Sequence, residues 1–108
     1  MRNVLTGSVS TQADYMEESH GIYPNPASDH VIISMEISSP TEVLVKVYDR
    51  TGKLVALPVD GFFNTGSYEI SWSLEDYDGS HLGDGMYFYI IESKEKPVSG
   101  KLLIISGN

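Results

Sequence analysis

The feature that most constrains the fold is a series of short runs in which every second residue is apolar and most residues between them are polar. In residues 31–37, 43–47 and 68–72 every second residue is apolar. A strand with one buried face requires this spacing, because successive side chains point to opposite sides. Glycine or proline interrupts the chain between runs, and no segment shows a helical stripe. The sequence therefore predicts an all-β fold, an immunoglobulin-like antiparallel β-sandwich of about seven strands.

Three later segments predict particular places in that sandwich. Residues 86–91 are apolar at every position, which predicts a central strand covered on both faces. Residues 94–100 are mostly polar and contain a proline, so we expect a turn there. Residues 101–106 then form a last apolar strand. Trp72 alternates with other apolar residues and is expected in the core rather than on a binding surface.

The connections between the central runs are also predicted. The Asp-Arg-Thr-Gly sequence ends the second run as a tight turn, in which Gly52 takes a positive φ. Residues 53–59 supply the returning strand, and a loop lies between Gly61 and Gly66. The Asp- and Gly-rich residues 75–85 form a long connection.

Length and composition limit the organisation to one domain. The 108 residues are 41% hydrophobic, enough for one modest core. Residues 1–20 lack a clean period and are interpreted as a linker or disordered lead-in, with the sandwich over residues 21–108. The lead-in has no apolar stretch of the kind that signal peptides carry. As a complete gene product the chain is expected to be cytoplasmic, whereas as the tail of a longer precursor its export signal is expected upstream.

Charge and residue types argue against several classes of function. Fifteen acidic and seven basic residues give a net charge of −8, and there is no cysteine. Nucleic acid would be repelled, thiolate chemistry is impossible, and no run is long enough to insert into a membrane. No nucleophile elbow, zinc-protease motif or phosphate loop is present. We expect no enzymatic activity and no cofactor.

Two possible metal sites compete with simpler structural roles. The acidic residues Asp76, Asp78 and Asp84 invite calcium, but the ligand spacing of an EF-hand is missing, and an Asp-Gly turn is the favoured interpretation. The histidines are far apart in sequence, so zinc would need the fold to gather them. They are His20, His30 and His81.

Five short motifs in order resemble a known family. They are Tyr-Pro-Asn-Pro at 23–26, Val-Tyr-Asp-Arg-Thr-Gly-Lys at 47–53, Gly-x-Tyr-x-x-x-Trp at 66–72, Gly-Met-Tyr-Phe at 85–88 and Gly-Lys-Leu at 100–102. Each is weak alone, but together they resemble, across residues 21–106, the C-terminal sorting domains (type A) of the type IX secretion system, also called the Por secretion system.

That resemblance implies a function and partners. The domain would direct a covalently linked N-terminal cargo through an outer-membrane translocon, and a surface sortase would later cleave within the lead-in. Cargo and domain would pass through the periplasm to the cell surface or the medium. The residues carried over as recognition or motif positions are Tyr23, Pro24, Asn25, Pro26, Gly52, Lys53, Gly66, Gly85, Tyr87, Gly100 and Lys101.

Each of these positions also has a folding interpretation. Pro24 and Pro26 stiffen a strap that could simply close one end of the sandwich, since proline is tolerated at a sheet edge. Gly85 would allow close backbone approach before a buried strand. Lys101 is either a solvated base or part of a terminal strand that the translocon reads by β-augmentation.

A second function is compatible with the same fold. A fibronectin-like accessory module of a secreted protein could space other domains or bind carbohydrate. Its sugar contacts would come from exposed tyrosines, with Tyr48, Tyr77 and Tyr89 as candidates. A position at the extreme C-terminus of the parent protein would favour the sorting function instead.

Overall fold

The computed structural model describes residues 20–106 and contains only strands and their connections in that range. Seven strands follow one another along the chain. They are β1 (His20–Tyr23), β2 (Val31–Ile37), β3 (Thr41–Tyr48), β4 (Leu54–Phe63), β5 (Gly66–Trp72), β6 (Gly85–Glu92) and β7 (Val98–Ile104). Within these residues no helix is long and apolar enough to cross a membrane.

The strands form two antiparallel sheets that face each other. Three strands pair in the order β1-β2-β5, and four pair in the order β4-β3-β6-β7. β2 lies between β1 and β5, with Ile33 opposite both Ile22 and Ile70. β7 is an edge strand of the larger sheet and pairs only with β6 in that ladder.

The core lies between the sheets and is built from the alternating residues. In β2 and β3 the buried positions are every second residue, while their neighbours are more exposed. The largest fully buried side chains come from both sheets and include Ile33, Met35, Ile91, Leu102 and Ile104. Trp72 is also buried. The predicted sandwich of about seven strands is confirmed.

The predicted loop between Gly61 and Gly66 is wrong. β4 continues through Gly61 to Phe63, because Phe62 and Phe63 pair with the first residues of β3. β4 is an edge strand, so the weak strand preference of glycine and the missing N–H of Pro58 are both tolerated there. Register shifts near Val47 accommodate the extra length.

The prediction that β6 is covered on both faces is also wrong. β6 is central within its sheet, between β3 and β7. Only its inward residues Tyr87 and Ile91 are buried, whereas Phe88 on the other face is 38% exposed. No second layer of described residues covers the outer face of the four-stranded sheet. The apolar run therefore marks an open surface as well as a core strand.

Both ends of the sandwich differ slightly from the predicted boundaries. β7 begins at Val98, so the turn before it is shorter than the predicted 94–100. β1 begins at His20, the last residue of the predicted lead-in. The remainder of that lead-in, residues 1–19, lies outside the described residues.

Candidate functional site

The Tyr-Pro-Asn-Pro segment forms a strap that connects the two sheets. It leaves β1 at Tyr23 and reaches β7, where the Asn25 side-chain amide donates to the Lys101 carbonyl oxygen at 2.9 Å. The Asn25 side-chain oxygen accepts from the Leu103 N–H at 3.0 Å. Two backbone bonds extend the contact, from the Ala27 N–H to the Leu103 oxygen and from the Ile105 N–H to the Ala27 oxygen, both at 2.8 Å.

This contact joins the first and last motifs of the chain at one edge. Ala27 pairs with Ile104 in a parallel bridge, so the strap runs alongside β7 in the same direction. The Asn25 side chain takes the place of a neighbouring strand's peptide group for one residue. The outer edge of β7 is thus occupied from the Lys101 carbonyl onwards. β-augmentation there is limited to the first half of the strand.

Asn25 should be the strongest side-chain anchor of the strap, and its substitution is a direct prediction. We expect Asn25→Ala to lower the free energy of unfolding by about 1–2 kcal/mol, because two hydrogen bonds of ordinary net value are lost. Asn25→Asp should cost at least as much near neutral pH, since a carboxylate can accept from Leu103 but cannot donate to Lys101. Urea unfolding followed by tryptophan fluorescence measures both.

The stability of the two Asn25 variants at acidic pH provides the control. A protonated carboxyl regains an O–H donor, so the stability difference between wild type and Asn25→Asp should shrink as the pH falls. The difference for Asn25→Ala should stay constant. If the difference in free energy of unfolding between wild type and Asn25→Asp does not change with pH, the hydrogen-bond assignment is contradicted.

The turn between β3 and β4 is organised by one carboxylate. Asp49 Oδ1 accepts from the Thr51 hydroxyl at 2.6 Å, the Thr51 N–H at 2.9 Å and the Lys53 N–H at 3.1 Å. Gly52 donates its N–H to the Asp49 carbonyl and has φ 91°, as predicted for this turn. The Thr51 hydroxyl, helped by the Lys53 N–H, lowers the pKa of Asp49 below its ordinary value.

That network predicts a measurable pKa change. A lowered carboxyl pKa means that the contribution to the turn is present above the unfolded-state pKa and is lost as the pH falls through the folded-state value. Thr51→Val removes the O–H donor, so the pKa of Asp49 should rise towards its ordinary value. Carbon-13 NMR of the carboxyl group measures this. Thr65→Val, in a different turn, should leave the pKa of Asp49 unchanged.

The same turn forms one wall of an open groove of about 600 Å³ on the outer face of the four-stranded sheet. We call this the outer groove. It is lined by Tyr48, Asp49, Arg50, Thr51, Gly52, Phe88, Tyr89, Ile90, Ser99, Gly100 and Lys101. Three predicted motif residues therefore meet here, namely Gly52, Gly100 and Lys101.

Gly100 has a specific steric role beside the outer groove. A Cβ at residue 100 would lie 2.6 Å from the Tyr89 hydroxyl oxygen and 2.8 Å from the adjoining ring carbon. Tyr89 pairs with Gly100 across β6 and β7 and also packs against the core. Burial raises the pKa of Tyr89 above its ordinary value. Packing against Tyr89 therefore explains why the Gly-Lys motif has a glycine at residue 100.

The other motif residues lie outside the outer groove. Lys53 follows the Asp49 turn, and Gly66 begins β5 in the opposite sheet. Gly85 begins β6 with φ 145°, and a Cβ there would meet no atom within 4 Å. Its role is thus backbone conformation and not the close approach expected from the sequence. Tyr87 is buried and donates to the Gly83 carbonyl at 2.7 Å. Burial is the largest cause that raises the pKa of Tyr87, and the negative charges of Asp49 and Asp84 raise it further.

Sequence reasoning did not select Phe88, Ile90 or Arg50 as site residues, and it named Tyr48 only as a candidate sugar contact. Tyr48, Phe88 and Ile90 lie on outward positions of β3 and β6, and Arg50 lies in the turn. A signal was present in the run 86–91, whose outward residues are as apolar as its inward ones. The outward residues of this run have no layer over them, and Phe88 is exposed while Ile90 is half-buried.

The two metal hypotheses and the carbohydrate hypothesis gain no geometric support. Asp76 Oδ1 accepts from the N–H groups of Asp78 and Ser80, so the carboxylate organises an Asp-Gly turn. Among residues 20–106 no group of three or more His, Cys, Asp or Glu could hold a metal ion. Tyr48 and Tyr89 line the outer groove, whereas Tyr77 lies in the 75–85 connection, so the three form no common row.

Solved structures share this fold. The dimeric latent PorU of Porphyromonas gingivalis is 23% identical, with a TM-score of 0.66 over 81% of this chain and 9% of that one. PorZ, an essential surface component of the type-IX secretion system of the same bacterium, is 21% identical, with a TM-score of 0.57 over 88% and 13%. FlgD from P. aeruginosa is 21% identical, with a TM-score of 0.50 over 79% and 67%. At these identities the likeness concerns the fold alone.

The chain thus spans about a tenth of the length of PorU and PorZ. A search of curated protein sequences gave no significant match. The family comparison is decisive instead, because a model described as "Secretion system C-terminal sorting domain" matches residues 21–106, which is nearly the whole sandwich. The chain belongs to the type IX (Por) secretion-system family of C-terminal sorting domains.

Proposed function

We propose that this domain is the sorting signal of a larger exported protein and carries its covalently linked cargo across the outer membrane. The observation that carries the proposal is the coincidence of the family match, residues 21–106, with the folded sandwich. The signal is then a complete folded domain and not a short linear tail. The domain is read by a translocon after passage through the periplasm, and a surface sortase removes it afterwards by cleavage in the lead-in.

In this function the domain binds other proteins and performs no chemistry. Sorting-signal families are typically non-enzymatic. The polar side chains described above are used in turns and at the strap, where they bond to backbone groups. The recognition residues would be drawn from the strap, which bonds to the free edge of β7, and from the Asp49 turn and the Gly-Lys strand, which both line the outer groove.

Truncation of the C-terminus is a poor test of this function. Removing residues 101–108 would delete Leu102 and Ile104, which are both fully buried. Loss of export would then report unfolding as well as recognition. A test that keeps the domain folded is needed.

We therefore expect export to follow the intact domain. A periplasmic reporter fused to residues 1–108 should reach the medium or surface of a host with the type IX system, while the reporter alone should stay in the periplasm. The same fusion in a strain that lacks the translocon is the matched control. Equal release of the two reporters, or release without the translocon, would contradict the proposal.

A further inference from the structure

The two outer faces of the sandwich differ sharply in chemistry. The outward positions of β2 and β5 are mainly Ser and Glu, with Glu36 and Glu69 supplying negative charge. The outward positions of β3 and β6 include Tyr48, Phe88 and Ile90, the floor of the outer groove. A solvated sheet face usually resembles the first of these. In this floor Phe88 is exposed and Tyr48 and Ile90 are half-buried, and uncovered apolar surface indicates a binding site.

Basic residues outnumber acidic ones in the outer groove, whereas acidic residues outnumber basic ones in the chain as a whole. Every basic residue between positions 20 and 106 lies in the four-stranded sheet or in a turn that joins its strands. Two of them, Arg50 and Lys101, line the groove and form no ion pair with any described acidic residue. The acidic residue of the same lining, Asp49, accepts hydrogen bonds within its own turn. On a chain of net charge −8, this local excess selects an anionic partner by complementarity.

The first half of β7 has a free edge, because the strap bonds only to the second half of the strand. The strap bonds to the Lys101 carbonyl and to both backbone groups of Leu103. Alternate residues of a strand direct their backbone groups to opposite sides. Both backbone groups of Ser99 and the N–H of Lys101 therefore face outward, and none of the described residues bonds to them.

We propose that the outer groove binds an extended acidic segment of a partner protein, which adds as a short strand to β7 at Ser99 and Lys101. Its acidic side chains pair with Lys101 at the edge and with Arg50 across the groove, and an apolar side chain reaches over β7 to Phe88. This inference rests on the proposed function and names the chemistry that the secretion machinery would present. The strap sets the length of the added strand, because pairing cannot extend past Lys101.

The binding test uses the full 108-residue chain and a defined probe. The probe is a ten-residue peptide that alternates glutamate and tyrosine, compared with its lysine counterpart. In nitrogen-15 NMR, the glutamate peptide should shift amide signals in the outer groove and along residues 98–101. The double variant Arg50→Glu/Lys101→Glu should weaken binding by about tenfold or more, since two attractions become repulsions.

A matched charge control is present in the β6–β7 turn. Lys94→Glu/Lys96→Glu changes the net charge equally but lies away from the groove, and it should weaken binding by less than about twofold. Equal losses in the two variants, equal binding of the lysine peptide, or shifts on the three-stranded face would overturn the proposal. So would binding of a phosphorylated polysaccharide at the groove without binding of the peptide.

The export assay separates this inference from the function on which it rests. The first double variant should reduce reporter export by about tenfold and the control variant by less than about twofold, with both domains folded by circular dichroism. If the unmodified domain is exported and neither variant is impaired, the groove is not the docking surface although the sorting function stands. If the unmodified domain is not exported, the sorting function fails, and the peptide titration still tests the groove.

Discussion

Replacing Leu102 with alanine should lower the free energy of unfolding by about 2–5 kcal/mol, the largest effect we expect from one side chain. Leu102 is fully buried and comes from β7, the last strand of the chain and an edge strand of the larger sheet. The loss combines the transfer of apolar surface to water with the cavity left behind. For a domain of ordinary stability this is a large share of the total. Urea unfolding of the purified variant measures it.

The adjacent residue supplies the control. Leu103 points to the opposite face of the same strand and is only half-buried. Leu103→Ala should therefore cost about 1 kcal/mol or less, while its backbone bonds to the strap remain. Similar losses for the two variants would show that β7 does not contribute one inward and one outward face as described.

Gly85→Val should destabilise the domain by about 2–3 kcal/mol, the second large effect. The reason is conformational, because φ at Gly85 is 145° and a β-branched residue is a severe outlier there. Space is not limiting, since a Cβ would meet nothing within 4 Å. Thermal unfolding by circular dichroism is the measurement.

Gly83 allows that reason to be checked. A Cβ at Gly83 also meets nothing within 4 Å, but its φ lies outside the strained positive range. Gly83→Val should therefore leave stability nearly unchanged. A similar loss at both glycines would mean that crowding or loop entropy matters more than backbone conformation. A folded Gly85→Val domain that is not exported would instead assign Gly85 to recognition.

Period-two alternation predicted the fold because each sheet has one face in the core. In β2 the inward residues Val31, Ile33, Met35 and Ile37 are all buried, as their spacing requires. The same rule failed for β6, since apolar residues on both faces are compatible with two covering layers or with one open binding face. The composition of a strand does not distinguish these two arrangements. They differ only in whether another element of the fold lies over the second face.

The strap shows why half of the candidate site could not be derived from local patterns. The prolines predicted a stiff segment near an edge, but its partner was β7, 76 and 78 residues away through the two Asn25 hydrogen bonds. A side-chain amide that replaces a peptide group leaves no periodic signal in the sequence. Arg50 was likewise ordinary as a turn residue until the fold placed it beside Phe88.

The parallel direction of the strap and β7 has a mechanical consequence for transport. A pull on the chain upstream of β1, opposed by resistance at the end of β7, acts along the direction of both segments. The four hydrogen bonds between them are then loaded together in shear, because no single one is peeled away first. A domain attached to its load in this way should stay closed under traction longer than one whose end strands could unzip.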